Sequence, residues 1–214
     1  MKPFGLINDE WILSYAAGSL SEAHALMVAT HCHYHPELQE KIIFAEGIGG
    51  ELMENMEPTP ISNQRFDELL TEIDNLPIEN KVPSINSSLP NPLAEYLDGS
   101  LDQIKWRLMG PGLYQKKLWK GQNGLKLWLL KARKGTKIPI HDHKGLEMTL
   151  VLKGSYHVED RHYTTGMIEI AEPGLKNHQP KIDKVEDCIC LVVTEAPIYL
   201  HSFIGRLMQP LIGL

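Results

Sequence analysis

The first 76 residues place apolar side chains at helical spacing and predict four helices. The predicted helices begin at Asn8, Ser21, His35 and Ser62. Asn8 and Ser21 are suited to N-cap positions, because their side chains can accept hydrogen bonds from the first free backbone N–H groups. Pro36 suits the first turn of the third helix, which extends to Met56. The fourth helix ends at Leu76 and carries an apolar stripe at positions 66, 69, 70 and 73.

The pattern changes after residue 76. Prolines at 77, 83, 90 and 92, among Ser and Asn residues, indicate a linker. Residues 93–98 are predicted to form a short helix. From Trp106 onward apolar and polar residues alternate in short runs separated by Gly and charged residues, as in a small antiparallel barrel or jelly roll. The predicted fold is a two-domain α+β protein. Its parts are a helical bundle of about four helices (1–76), a linker (77–95), a β-barrel (96–196) and a C-terminal helical segment (197–214).

Composition narrows the classes of function. Hydrophobic residues make up 43% of the 214 residues, enough for a sizeable core, and the net charge of −6 argues against non-specific nucleic-acid binding. No apolar run reaches the roughly 18 residues of a membrane span, and the N-terminus lacks the apolar core of a signal peptide. The three cysteines give no disulfide framework. We therefore expect a cytoplasmic protein without a direct nucleic-acid or membrane partner.

The segment 135–154 carries the clearest candidate chemistry. His141, His143 and Glu147 lie within seven residues, and their odd numbers would place them on one face of a continuous strand. A fourth candidate ligand, His178, follows a second Gly/Pro segment. Imidazole and carboxylate ligands suit a divalent transition metal; we expect zinc, with manganese, iron or nickel as alternatives.

The spacing of these residues resembles the two cupin motifs. Gly135, His141, His143, Glu147 and Gly154 satisfy every position of the first motif. The second motif is matched less closely by Gly166, Pro173-Gly174 and His178. The interval from Gly to Pro is one residue longer than the motif requires, and the later Asn is missing. The resemblance implies a cupin barrel in which His178 is the fourth ligand.

A helical domain, a proline-rich linker and a cupin in this order resemble the ChrR-type anti-sigma factors over nearly the whole chain. The resemblance rests on the segments 15–23 and 28–31 in the helical part, and on the ligand set and 186–191 in the cupin. It implies a transcriptional regulator whose helical domain sequesters a sigma factor of the extracytoplasmic-function type. It further implies that the cupin is a sensory domain in a stress response to singlet oxygen or organic peroxides.

One part of the family pattern is altered. The helical domain of the family carries a zinc site built from an upstream His followed by His-x-x-x-Cys-x-x-Cys. Here Leu6 stands at the upstream His, His31 is in place, His35 replaces the first Cys, and Leu38 replaces the second. Leucine cannot bind a metal, so His31 and His35 are the remnant of a second zinc site. We expect the helical domain to fold by packing alone; weak metal binding that also uses His24, Cys32 or His33 is the alternative.

Other candidates are open to two interpretations. Cys188 and Cys190 share a strand face, and we favour core packing over a redox pair. His157 and His162 lack motif support and are expected to be solvated. The competing function is a cupin metalloenzyme, a dioxygenase or isomerase acting on a small molecule. We favour the regulator, because an enzyme has little need of a helical appendage, and a homodimer through the barrel faces is compatible with either.

Overall fold

The computed structural model describes residues 4–77, 91–97, 101–121 and 124–202. Its helices are α1 (Asp9–Ala16), α2 (Glu22–His33), α3 (Pro36–Glu54), α4 (Asn63–Asp74) and α5 (Asn91–Leu97), followed by a 3-10 turn at Leu101–Gln103. Asn8, Ser21 and Ser62 each accept a hydrogen bond from the backbone N–H three residues on, at 3.2–3.3 Å. The predicted helix starts are therefore confirmed; these three follow from a capping side chain, and α3 starts after His35 with Pro36 in its first turn.

The predicted helical part is confirmed, with five helices among the described residues. Helices α1, α2 and the first turns of α3 pack together around buried residues that include Met27, Val28 and Leu38. Helix α3 buries no residue beyond Ile42, and α4 buries none. Helix α4 is present as predicted, but no other described element covers the apolar stripe of that helix. Helix α5 packs instead on α2, with Leu93 fully buried.

The remainder of the chain folds into antiparallel sheets of cupin type. The strands are β1 (Arg107–Gly110), β2 (Leu113–Lys120), β3 (Lys126–Ala132), β4 (His141–Asp142), β5 (Glu147–Lys153), β6 (Ser155–Val158), β7 (Arg161–Thr164), β8 (Ile168–Ala171), β9 (Lys181–Ile182), β10 (Cys188–Thr194) and β11 (Tyr199–Leu200). Six form a sheet in the order β1-β2-β3-β10-β5-β8, three form the sheet β7-β6-β9, and β11 pairs with β4. The predicted cupin is confirmed as an arrangement of separate sheets and not as a closed barrel.

Strand β10 is central to the large sheet and is buried along its whole length. Its side chains alternate between two apolar clusters, as the two-residue period of a strand requires. Ile189, Leu191 and Val193 join the cluster that contains the helical residues, whereas Cys190 and Val192 join a second cluster with Trp128 and Tyr156. The helices therefore cover one face of this sheet, and the other face lines the interior of the cupin.

The ends of the predicted segments differ from expectation. Most of the predicted linker lies outside the described residues, and its last part belongs to α5. The predicted C-terminal helical segment includes strand β11, because Leu200 is buried and pairs with His141. Residues 203–214 of that segment lie outside the described residues. No described helix is both long and apolar enough to cross a membrane.

Gly154 supplies a stability test of the one-residue bend at which the chain passes from β5 to β6. Its φ is +76°, and a Cβ atom would lie 2.7 Å from the carbonyl oxygen of Asp187. We expect Gly154→Ala to lower the free energy of unfolding by about 2–4 kcal/mol, because left-handed strain adds to a backbone clash. Urea unfolding would measure the loss.

The matched control is Gly18→Ala, where φ is +63° and no atom lies within 4 Å of the added Cβ. This variant should lose only about 1–2 kcal/mol, from the left-handed backbone alone. Equal losses in the two variants would show that the clash with the carbonyl oxygen of Asp187 adds nothing measurable to the loss of stability.

Candidate functional site

The structure brings together the four residues that the sequence singled out in the cupin. One donor atom from each of His141, His143, Glu147 and His178 lies within 4.8 Å of the others. The three histidines are almost fully buried, at 3–4% exposure. The cluster is therefore a compact set of three imidazoles and one carboxylate, a donor set that could hold a divalent metal.

Backbone hydrogen bonds place His178 directly opposite His141. The N–H of His141 donates to the carbonyl of His178 (3.1 Å), and the N–H of His178 donates to the carbonyl of His141 (2.9 Å). His143 is held in the same way, since its N–H donates to Leu175 (3.0 Å) and its carbonyl accepts from Gly174 (2.9 Å). The Gly/Pro segment before His178 thus positions two histidines of the cluster and not one.

His141, His143 and Glu147 converge for a different reason from the predicted one. Strand β4 stops at Asp142, the chain bends at residues 144 and 145, and β5 starts at Glu147. The bend is close-packed, because a Cβ on Gly145 would lie 2.9 Å from the Cβ of Ala196. The argument from a continuous strand was wrong, although the three side chains do meet.

Two imidazoles of the cluster are hydrogen-bonded through the ring nitrogen that faces away from the other histidines. These bonds determine which nitrogen of each neutral ring carries the proton. Nδ1 of His141 donates to the carbonyl of Pro139 (2.9 Å), so in the neutral ring Nε2 carries a lone pair. Nε2 of His178 donates to the carboxylate of Glu169 (3.0 Å), which leaves the lone pair on Nδ1. Nε2 of His141 and Nδ1 of His178 are 3.2 Å apart, and Nε2 of His143 lies 2.9 Å from Nδ1 of His178. Lone pairs that converge in this way suit a bound cation.

Burial dominates the electrostatics of the cluster. It lowers the pKa of His141 to about 4, and together with the neighbouring imidazoles it lowers the pKa of His143 to about 3. Burial also raises the pKa of Glu147 to about 7, a rise to which the charge of Glu169 contributes and which His178 opposes. At neutral pH the imidazoles of His141 and His143 are thus in the unprotonated form that a metal requires.

Glu169 is a functional residue that sequence reasoning missed. It is 8% exposed on β8 and accepts hydrogen bonds from Nε2 of His178 (3.0 Å) and from the hydroxyl of Tyr156 (2.8 Å). Burial alone would lower the pKa of His178, but this hydrogen bond and the charge of Glu169 raise it. A glutamate between two isoleucines in a short strand was the available signal, since a buried carboxylate needs partners.

A cavity of about 660 Å³ adjoins the cluster inside the cupin. His141, Glu147, Glu169 and His178 contribute to its wall. The rest of the lining is mainly apolar and includes Trp128, Leu130, Val192 and Ile198. A small molecule of largely apolar character would fit beside the cluster.

The two histidines of the altered helical site also meet. The rings of His31 and His35 are 4.7 Å apart in an edge-to-face arrangement. His31 is fully buried, neither of its nitrogens has a well-placed hydrogen-bond partner, and burial lowers its pKa to about 3. His35 donates from Nε2 to the carbonyl of Gly166 in the cupin (2.8 Å). The remnant of the family site is thus part of the contact between helices and cupin.

No third ligand joins these histidines among the described residues. Leu38 is buried and Leu6 packs against the same apolar cluster. His24 is hydrogen-bonded to Ser21 (2.9 Å), and Cys32 is buried in the core with its pKa raised to about 11 by burial. Two imidazoles fall short of the four ligands of a structural zinc site, so the donor set does not fit one.

Cys188 and Cys190 are both buried, as core packing requires. Their sulfur atoms are 3.6 Å apart on the interior face of β10. The hydrogen bond from Cys188 and burial raise the pKa of Cys190 well above its ordinary value. The thiol of Cys190 is therefore protonated at neutral pH, and the protonated form is not the nucleophile.

Comparisons with known proteins agree with the geometry. Residues 98–197 match the model of the ChrR cupin-like domain. The chain is 36% identical over 208 residues to the anti-sigma-E factor ChrR of Cereibacter sphaeroides, covering 95% of each protein. It is also similar to ChrR in the crystal structure of the SigE–ChrR complex of Rhodobacter sphaeroides, with a TM-score of 0.74, 35% identity, and coverage of 88% of this chain and 97% of that one.

Substitution of His31 tests whether the helical region folds by packing. We expect His31→Leu to raise the free energy of unfolding by about 1–2 kcal/mol, because it removes two buried nitrogens without good partners. The gain should grow as pH falls from 6.5 towards 3, since the lowered pKa of His31 costs the folded wild type stability over that range. Urea unfolding at several pH values would measure it.

His33→Leu, on the exposed side of the same helix, is the control and should change stability by no more than about 0.5 kcal/mol. A loss of stability in His31→Leu that appears only when zinc is present would contradict the packing interpretation.

Proposed function

Because the chain belongs to the ChrR family of anti-sigma factors, we propose that it sequesters a sigma factor of the extracytoplasmic-function type through its helical region. In this proposal the cupin binds one divalent transition metal, zinc in the first instance, and acts as the sensory half in a response to oxidative stress. The solved relative is a complex of SigE with ChrR, which supports a partner of this class.

The observation that carries the proposal is a set of uncovered apolar side chains on α3, on α4 and on the segment between them. Its members are large hydrophobic side chains that are 37–72% exposed: Ile43, Phe44, Ile48, Leu52, Met53, Met56, Ile61, Phe66, Leu69, Leu70 and Ile73. We call this set the helical apolar surface. Monomeric proteins rarely expose so many large apolar side chains together, and such surfaces are typical of protein–protein interfaces.

The arrangement of this surface fits a protein partner. On α4 the four residues at 66, 69, 70 and 73 form one stripe at helical spacing, which is the side of a helix that binds into a groove. Flanking charges such as Arg65, Glu68 and Glu72 pair with one another along α4. An apolar centre with a charged border is the usual composition of an interface.

The convergent imidazoles and the buried carboxylate support metal binding in the cupin. A divalent cation there would supply Lewis-acid or redox chemistry, according to its identity. His141, His143, Glu147 and His178 are the proposed ligands, and Glu169 orients His178 through its hydrogen bond (3.0 Å). The cavity beside the cluster gives a small-molecule stimulus a place to bind.

The contacts between helices and cupin offer a route by which the cluster could affect the partner. Helix α2 packs on β10 and β5, and β5 begins with Glu147. Glu195 links the two sides, because one carboxylate oxygen lies 3.6 Å from Nε2 of His24 and the other accepts from the N–H of Leu146 (3.3 Å). A rearrangement at Glu147 would therefore act directly on α2, which packs against α3.

A second candidate function is supported by the cavity. A metal centre beside a 660 Å³ apolar space could serve a cupin metalloenzyme acting on an apolar small molecule. Tyr156 and Glu169 would then be the nearest groups able to move a proton. The helical apolar surface has no role in that function, so the regulatory proposal accounts for more of the molecule.

The helical surface is tested by the double substitution Phe66→Ala with Leu70→Ala. Truncating two interface residues should weaken binding of an extracytoplasmic-function-type sigma factor from the same genome by about 30- to 1000-fold. The thermal midpoint of the free protein should hardly change, because no described element covers these side chains. Isothermal titration calorimetry would measure the affinity.

Val185→Ala is the control, since Val185 is apolar and 84% exposed but lies on the cupin. Equal affinities for the wild type, the double variant and this control would contradict the proposed surface.

The metal is tested by elemental analysis of purified variants. We expect His143→Ala to contain one metal ion fewer per chain than the wild type, because it removes a ligand. Glu169→Gln should keep the ion but bind it about 10- to 100-fold more weakly, the usual effect of losing an outer hydrogen-bond partner.

The control is His33→Gln, because His33 belongs neither to the cupin cluster nor to the pair formed by His31 and His35. This variant should match the wild type in metal content. If His143→Ala also matches it, the proposed cupin ligands are wrong.

A further inference from the structure

A second cluster of possible ligands lies on the three-stranded sheet. His157 on β6 and His162 on β7 are cross-strand partners, and Asp183 follows directly after β9. One donor atom from each lies within 4.8 Å of the other two. The sequence predicted solvated histidines, and their side chains are indeed 44–45% exposed, but they are not independent of each other.

Both imidazoles are organised around one carboxylate. Nδ1 of His157 donates to one oxygen of Asp183 and Nε2 of His162 donates to the other, each at 2.8 Å. The two rings are stacked, with centroids 4.1 Å apart and planes 7° from parallel. The hydroxyl of Ser155 also donates to Asp183. The donor atoms of two imidazoles therefore point to the same side, towards one anion.

This arrangement needs little change to hold a metal ion. A transition-metal ion bonds to imidazole nitrogen at about 2.0–2.1 Å and to carboxylate oxygen at about 2.0–2.2 Å. An ion in place of the two shared protons would thus require the nitrogen–oxygen distances to open by roughly half an ångström. Partly exposed side chains can make that movement, and water can complete the coordination shell.

We propose that His157, His162 and Asp183 form a second site for a divalent transition metal, separate in its ligands from the cupin cluster. The two imidazoles favour Zn²⁺, Cu²⁺ or Ni²⁺ over Ca²⁺ and Mg²⁺, which prefer oxygen ligands. The inference rests on this cluster alone and not on the proposed anti-sigma function.

A metal here would join three strands of one sheet. Its ligands come from β6, β7 and the end of β9, and Asp183 is five residues beyond His178. Binding would stabilise the segment that leads away from His178. The second site would therefore reinforce the surroundings of the first without sharing a ligand with it.

The test is a metal titration of the metal-depleted full-length protein with Zn²⁺, in competition with a chromophoric chelator. The wild type should bind two equivalents. His162→Gln and Asp183→Asn should each weaken one binding step by at least about 100-fold, the upper range for losing even an outer partner of a metal ligand. Asp183→Asn keeps an acceptor for the histidines and so guards against a variant that merely fails to fold.

The other variants separate the two sites. His33→Gln should bind as the wild type does, and His143→Ala should lose only the binding step that His162→Gln retains. The same stoichiometry and affinity in the wild type, His162→Gln and Asp183→Asn would overturn the second site, whatever happens to His143→Ala. A wild type that binds one equivalent, lost in His143→Ala alone, would overturn it as well.

Discussion

The structure depends on a single strand that is apolar on both faces. β10 pairs with β3 on one side and β5 on the other, and every one of its seven residues is buried. Burial of each large apolar side chain contributes about 1.5–3 kcal/mol, so this strand is a major source of stability. Its side chains also join the helical core on one face of the sheet and the cupin interior on the other face. The helices therefore pack on the same sheet that contains Glu147 of the histidine cluster.

Much of the fold could be predicted from local signals. Asn8, Ser21 and Ser62 mark helix starts because capping is a property of a few adjacent residues. The four residues of the cupin cluster were recognisable because each motif constrains spacing along the chain. Tertiary packing was harder to predict: the stripe on α4 looked like a bundle face, since periodicity shows that a face is apolar but not what covers it.

The details of the site followed from contacts that the sequence does not record. The bend at Gly145 depends on close packing against Ala196, which lies 51 positions away. Glu169 became visible as a partner of His178 only once β8 was placed beside β5. His157, His162 and Asp183 each look unremarkable alone, and only the pairing of β6 with β7 and β9 brings them together. Long-range pairing is the information that a pattern read along one chain lacks.

Leu38 in the helical core has a consequence for how this protein can be disturbed. A helical zinc site built from thiolate and imidazole ligands would release its metal to a chelator, or lose it when its cysteines oxidise. Here the same position is held by an apolar side chain, and the nearby thiol of Cys32 is buried and protonated. Chemical signals of those two kinds have nothing to attack in the described helices. The described helices therefore contain no exposed thiol for an oxidant to reach.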